Sequence, residues 1–177
     1  GSLELRKDGQ FYNWSIMNNW PLGTGDPIQV KSHPRNYAEQ SYFFFVVRYQ
    51  VEGEQPKMKL IHFKNSLSEA GLQSIDYYYP WLSAIEKIYY SASFPETRLT
   101  FSDSEMPFEI QMEALSPFIP GDVKNSSLPG AYFNFSIGPT GDKPVKVFLV
   151  ASLRNLVGYD EIDKYFISKV HEGEGYI

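Results

Sequence analysis

Pro107-Phe-Glu-Ile-Gln-Met-Glu-Ala-Leu-Ser-Pro-Phe-Ile-Pro-Gly-Asp-Val-Lys-Asn-Ser-Ser-Leu-Pro-Gly130 joins a clear strand to a long, chemically specific loop. Phe108, Ile110, Met112 and Ala114 alternate with Glu109, Gln111 and Glu113, the period of a strand with one face buried and one wet. The alternation stops where Pro117, Pro120 and Pro129 withhold the backbone donors that a ladder needs, and Gly121, Asp122, Asn125 and Ser126 supply turn chemistry. Strand pairing is expected to resume at Ala131, with Phe133, Phe135 and Ile137 on one face and Tyr132, Asn134 and Ser136 on the other. That register sends Phe108, Ile110, Met112, Phe133, Phe135 and Ile137 into one core.

Outward from this stretch, the same reasoning predicts strands over Phe43–Val51, Met58–Phe63, Ala84–Ser91, Arg98–Phe101 and Val145–Leu153. Gly53-Glu-Gln-Pro56, Ser102-Asp-Ser-Glu-Met-Pro107 and Gly138-Pro-Thr-Gly-Asp-Lys-Pro144 have the composition of short connections between them. Helix signals are sparse: Ser66 and Glu69 have capping-box spacing, and Asp160 to Phe166 suits a single turn. Neither is long enough to cross over a parallel sheet. The expected fold is therefore all-β, a sandwich of two antiparallel sheets with little helix, forming one domain over residues 3–177. Gly1-Ser2 reads as an expression remnant, and Tyr176-Ile177 after the Gly-rich turn reads as the start of another strand, so the chain is expected to be the amino-terminal part of something longer.

Composition removes several function classes. The net charge is −5 with 16 basic residues scattered along 177, so no cluster is available to neutralise several phosphates, and nucleic acid is excluded as a partner. The longest apolar run, Tyr42 to Val47, falls far short of the roughly 20 residues of a membrane span. Absence of cysteine removes disulfides, thiol catalysis and Cys-type zinc sites, and leaves the compartment open; a periplasmic or extracytoplasmic location would follow if a signal peptide had been removed. The 13 Phe, 13 Tyr and 3 Trp suit the pleated faces of strands, so most are expected in the core rather than stacked on sugars.

Chemistry-bearing patterns are few. His33, His62 and His171 are dispersed, and Asp160, Glu161 and Asp163 lack the alternation and central glycine of a calcium loop, so neither metal nor cofactor is expected. Gly23-Thr-Gly25 is interrupted by Pro27 and is not a dinucleotide turn, and no Gly-x-Ser-x-Gly elbow occurs. Trp14 and Trp20 flank Asn18-Asn19, which reads either as packed tryptophans or as an aromatic and amide sugar site.

Three stretches carry a resemblance. Ser116-Pro-Phe-Ile-Pro120 followed by Asp122 and Ser126-Ser-Leu-Pro129, Gly9-Gln-Phe-Tyr-Asn-Trp-Ser-Ile-Met-Asn18, and Ala84 to Pro95 occur in the order found in the amino-terminal domain of glycoside hydrolase family 116, the bile-acid β-glucosidases or non-lysosomal glucosylceramidases. The chain resembles that domain from about Gly9 to Val157. The resemblance implies a non-catalytic β-sandwich whose parent cleaves β-glucosides or related sugars by a retaining two-carboxylate mechanism. It also implies a catalytic (α/α) barrel domain of the same polypeptide as partner. In the family the nucleophile and acid/base belong to that later domain, so no residue here is assigned a catalytic role. A free-standing carbohydrate-binding or cell-surface module is the alternative that fold alone leaves open.

The residues singled out for substrate or interdomain contact are Asp122, Ser126, Phe118, Ile119, Trp81 and Tyr79. Asp122 and Ser126 either bond their own backbone or present polar groups to a partner domain or a sugar. Phe118 and Ile119 lie between prolines, and Tyr77, Tyr78, Tyr79 and Trp81 cannot all face one core from an extended segment, so an exposed apolar patch is expected.

Overall fold

A computed structural model describes residues 2–15, 43–64, 81–128 and 130–153. The strands are β1 (Ser2–Leu5), β2 (Phe11–Ser15), β3 (Phe43–Val51), β4 (Lys57–Phe63), β5 (Ser83–Ile85), β6 (Lys87–Ser93), β7 (Glu96–Ser102), β8 (Phe108–Leu115), β9 (Tyr132–Pro139) and β10 (Val145–Leu153). A four-residue helix, α1 (Val123–Ser126), lies in the loop between β8 and β9. One four-stranded sheet has the order β10-β3-β4-β5 and the other β6-β7-β8-β9, with β1-β2 as a separate hairpin. The two larger sheets face each other across a common apolar core.

The expected β8–β9 register is realised: Ile110 pairs with Ile137, Met112 with Phe135 and Ala114 with Phe133. Phe108, Ile110 and Met112 are buried beside Leu99 and Phe101 of β7. From the opposite sheet, the alternate residues Phe43, Phe45, Val47 and Tyr49 of β3 enter the same core. The Phe45 and Phe135 rings meet at 4.8 Å, and Tyr49 and Phe108 at 5.2 Å, both edge to face, the arrangement ring quadrupoles favour. Ile137 departs from the expectation, being 40% exposed. It sits on β9, which among the described residues is an edge strand of its sheet.

The expected all-β sandwich of two largely antiparallel sheets with little helix is observed, and three details differ from the expectation. Ala84–Ser91 is not one strand: β5 and β6 belong to different sheets, and the chain changes sheet at Glu86, whose backbone N–H donates to Asp103 Oδ2 at 3.1 Å. The sheet containing β5 is also not wholly antiparallel, because β5 runs parallel to β4, pairing Leu60 with Ala84. The β8–β9 connection, read as a loop, contains the single helical turn α1. The helix signals at Ser66 and Asp160 lie outside the described residues.

Gly9 shows why the β1–β2 turn needs glycine. Its φ is +83°, a region that L side chains rarely adopt, and an added Cβ would come within 3.0 Å of the Ile61 carbonyl oxygen and 3.1 Å of the Phe101 ring. The turn docks directly on β4, with the Phe63 amide donating to the Asp8 carbonyl at 2.8 Å.

Candidate functional site

Leu115 pairs with Glu96 on one side and Tyr132 on the other, which brings the β8–β9 loop and the β6–β7 hairpin tip to the same end of their sheet. The loop is closed at its base by the Ser116 hydroxyl donating to the Gly130 carbonyl at 3.3 Å. Inside it, the Asp122 amide donates to the Ile119 carbonyl at 3.0 Å. The Ser126 hydroxyl accepts from the Ile119 amide at 2.9 Å and donates to the Ile119 carbonyl at 3.1 Å. Asp122 caps α1: Oδ1 accepts from the Asn125 amide at 3.0 Å and Oδ2 from the Asn125 side chain. The Asn125 backbone and side-chain donors hold the Asp122 carboxyl below the usual carboxylate range.

Asp122 and Ser126 thus bond to their own loop, one of the two arrangements their residue types allow. What the loop presents outward is apolar. Phe118 and Ile119 are about half exposed, Val123 and Leu128 are exposed, and the Phe118 ring meets Phe94 at 5.1 Å with the planes tilted by 65°. Phe94 is 80% exposed at the β6–β7 tip, where the Phe94–Pro95 peptide bond is cis. The result is an apolar platform on a polar, internally bonded plinth.

Carboxylates drawn close together elsewhere are held by cations. Lys59 Nζ lies 3.0 Å from Asp103 Oδ1 and 2.8 Å from Glu105 Oε2. Arg98 binds Glu96 at 2.8 Å and Glu113 at 2.6 Å on the exposed face of the β6–β9 sheet. The Asp103 side chain is wholly removed from water, whereas Glu105, its neighbour on Lys59, is exposed. A cleft of about 460 Å³ opens between β9 and β10, lined by Phe108, Ile137, Val145 and Val147 with Asp142 and Lys143 at its rim. Its lining is mostly apolar, with Asp142 and Lys143 as its charged members.

The chain matches, over residues 1–175, the profile of the family described as beta-glucosidase 2, glycosyl-hydrolase family 116 N-term. It belongs to that family. Comparison with curated proteins returns no match.

In this family 116 N-terminal domain, the structure brings together Phe118, Ile119, Asp122 and Ser126 of the expected contact residues. Trp81 is exposed but leads into β5 of the other sheet. Tyr77, Tyr78 and Tyr79 lie outside the described residues, as do Trp20, His33, His171, Asp160, Glu161, Asp163 and Gly23-Thr-Gly25. His62 is buried within β4, and no cluster of metal-ligating side chains occurs among the described residues. No described helix is long and apolar enough to cross a membrane. Sequence reasoning missed Phe94, although an aromatic residue before proline at a hairpin tip was a signal for an exposed ring. It also missed the Lys59–Asp103–Glu105 cluster, whose members are too far apart in the chain to announce a contact.

Proposed function

We propose that this family 116 N-terminal domain is a single non-catalytic β-sandwich that supports a catalytic helical barrel of the same polypeptide, and that the assembled enzyme hydrolyses β-glucosides or related sugars. The observation that carries this reading is the platform of exposed apolar groups formed by Phe94 of the β6–β7 tip with Phe118, Ile119 and Val123 of the β8–β9 loop, in which Asp122 and Ser126 bond within the loop. Such a surface is pre-organised for contact with another protein surface, because little further ordering is needed on docking. The loop therefore acts as a seat for the catalytic domain and shapes one wall of the assembled cleft.

The paired carboxylates also support a non-catalytic role. Glycoside hydrolysis requires two carboxyl groups facing across one sugar ring. Here Asp103 and Glu105 share Lys59, and Glu96 and Glu113 share Arg98. The purified chain should give no turnover of aryl β-glucosides, and turnover abolished by changing a single Asp or Glu of this chain would overturn the proposal.

Exposed rings also suit a carbohydrate-binding module, and that second reading keeps the same surface. Sugars stack on flat ring faces, whereas Phe94 and Phe118 are tilted by 65° and offer no common plane. Calorimetric titration with soluble β-glucans separates the two: saturable binding lost in Phe118→Ser would favour the module.

A further inference from the structure

Four exposed side chains are too few for a stable seat. An aromatic side chain offers at most roughly 250 Å² to a partner. Phe94, Phe118, Ile119 and Val123 are 49–80% exposed, so together they fall short of the roughly 800 Å² that each partner contributes to a stable interface. The strand register shows which surface adjoins them. Glu96, two residues beyond Phe94, pairs with Leu115, and Leu115 with Tyr132; in the next outward row Arg98 pairs with Glu113, and Glu113 with Asn134. These residues alternate with the buried Leu99 and Met112 and with Phe133 of the core, so they stand on the outer face of the β6–β9 sheet. Tyr132 is exposed there. Arg98 is fixed at two points, because its Nη2 donates to Glu96 Oε1 at 2.8 Å and to Glu113 Oε1 at 2.6 Å. Its Nε and Nη1 donors meet no acceptor among the described residues.

We propose that the seat of the catalytic domain continues from the Phe94–Phe118 platform onto this outer face, where Tyr132 is covered and Arg98 fixes the orientation of the domain by donating to backbone carbonyls at its rim. The proposal rests on the platform's being a seat, and adds which sheet is covered and which side chain is read. An apolar centre with a polar border, in which tyrosine and arginine are favoured, is the composition of a protein interface. A guanidinium already held by two carboxylates loses little freedom when its remaining donors are taken up. The charge of the trio selects the acceptor. Two glutamates against one arginine leave one excess negative charge, which repels a further carboxylate and leaves neutral carbonyls as the suitable partners. Arg6 and Arg48 are placed differently: Arg6 pairs with Glu4 in the β1–β2 hairpin, and Arg48 lies over the Phe148 ring in the other sheet.

Hydroxyl-radical footprinting read by mass spectrometry compares the full-length polypeptide with this chain alone, residue by residue. Tyr132 should lose most of its labelling in the full-length polypeptide, together with Phe94 and Phe118, whereas Phe148 on the other sheet should keep its own. Phe101, wholly buried, reports that both samples are folded. Arg98→Ala and Arg98→Lys, made in the full-length polypeptide, should each restore most of the Tyr132 labelling with Phe101 still protected, because lysine keeps the charge but not the forked donors. In this chain alone either substitution should leave the melting temperature within a few degrees of wild type, since Arg98 is half exposed. Tyr132 labelled equally in both samples while Phe94 and Phe118 are protected would overturn this extension and leave the platform as the seat. Equal labelling of all three rings would overturn both. Tyr132 protection that is unchanged in Arg98→Ala, or lost in Arg98→Ala but kept in Arg98→Lys, would overturn the role of the Arg98 donors.

Discussion

Lys59 Nζ and Asp103 Oδ1 lie 3.0 Å apart, with side chains 5% and 0% exposed, and they join the two sheets of the sandwich at the point where the chain passes from one to the other. Asp103 is saturated: besides Lys59, its Oδ1 accepts from the Glu105 amide at 2.9 Å and its Oδ2 from the Glu86 amide at 3.1 Å. The Tyr49 hydroxyl donates to the Glu105 carbonyl at 3.0 Å and adds a bond from β3 to the same turn. A charged pair so enclosed contributes by being complete, because removal of one partner strands the other in a medium that solvates it poorly.

Lys59→Met should therefore destabilise the domain by about 3–5 kcal/mol, measured by urea unfolding, since Asp103 keeps its charge without its cation. Replacing Lys59 and Asp103 together by apolar residues should recover part of that loss.

The same pair sets an alkaline limit. Burial works to lower the Lys59 pKa, but the hydrogen bonds and charges of Glu105 and Asp103 outweigh it and hold the ammonium above its ordinary value of 10.5. A folded pKa raised above the unfolded one gives stability that is complete below the unfolded value and is lost as pH rises through the folded value. The melting temperature of the wild type should thus fall more steeply above about pH 10.5 than that of Lys59→Met.

Gly9→Ala should cost more than about 1 kcal/mol, because the positive φ is incompatible with a side chain and the added methyl meets backbone on β4. Gly53→Ala serves as the control: its φ is also positive, at +82°, but nothing lies within 4 Å of an added Cβ. The difference in chemical denaturation between the two variants isolates the packing contribution from the backbone one. Equal losses would mean that the turn does not rest on β4.

On β9, Phe133→Ala should cost about 3 kcal/mol, the lower end for a phenylalanine truncation because its ring is only partly buried. Its ring nevertheless meets Phe11, Phe43 and Phe45 at 5.5, 5.6 and 5.5 Å. Tyr132→Ala, on the opposite face and 53% exposed, should change stability by less than about 1 kcal/mol. Equal thermal shifts would place β9 in the wrong register.

Much of this architecture was legible because β8 and β9 alternate, and an alternating strand declares both its type and its inward face. Lys59 shows where legibility ends. It pairs with Val47 and shares the inner face with Ile61, so a lysine occupies a position that pattern reading reserves for an apolar residue. Only its distant partners, Asp103 and Glu105, make that position tolerable. The break at Glu86 is hidden for a similar reason, since the Asp103 carboxylate that receives its amide stands 17 residues later in the chain. The loop was legible in part: its prolines and turn residues announced an ordered excursion, and Phe118 and Ile119 are exposed as expected. That Phe94 would be the ring beside Phe118 depended on the register of β6, β7 and β8 together, which no single segment contains.

The platform itself yields the last prediction. Phe94 and Phe118 touch each other at the sandwich's end and are largely exposed, so replacing either by serine removes apolar surface from water rather than from the core. Phe94→Ser and Phe118→Ser should leave the melting temperature within a few degrees of wild type. If the platform seats a catalytic domain, the same variants should weaken association with that domain, produced separately and titrated by calorimetry, by about tenfold or more, because an exposed aromatic anchor at an interface centre is where binding energy concentrates. Asp122→Ala supplies the complementary case: it leaves both rings in place but removes the cap that orders α1, so protease cleavage between residues 116 and 130 should accelerate without loss of the global fold. Weaker association in all three variants with an unchanged fold would show that both the apolar surface and the rigidity beneath it are used. Unchanged association in Phe94→Ser and Phe118→Ser would leave the platform with no part in holding a catalytic domain.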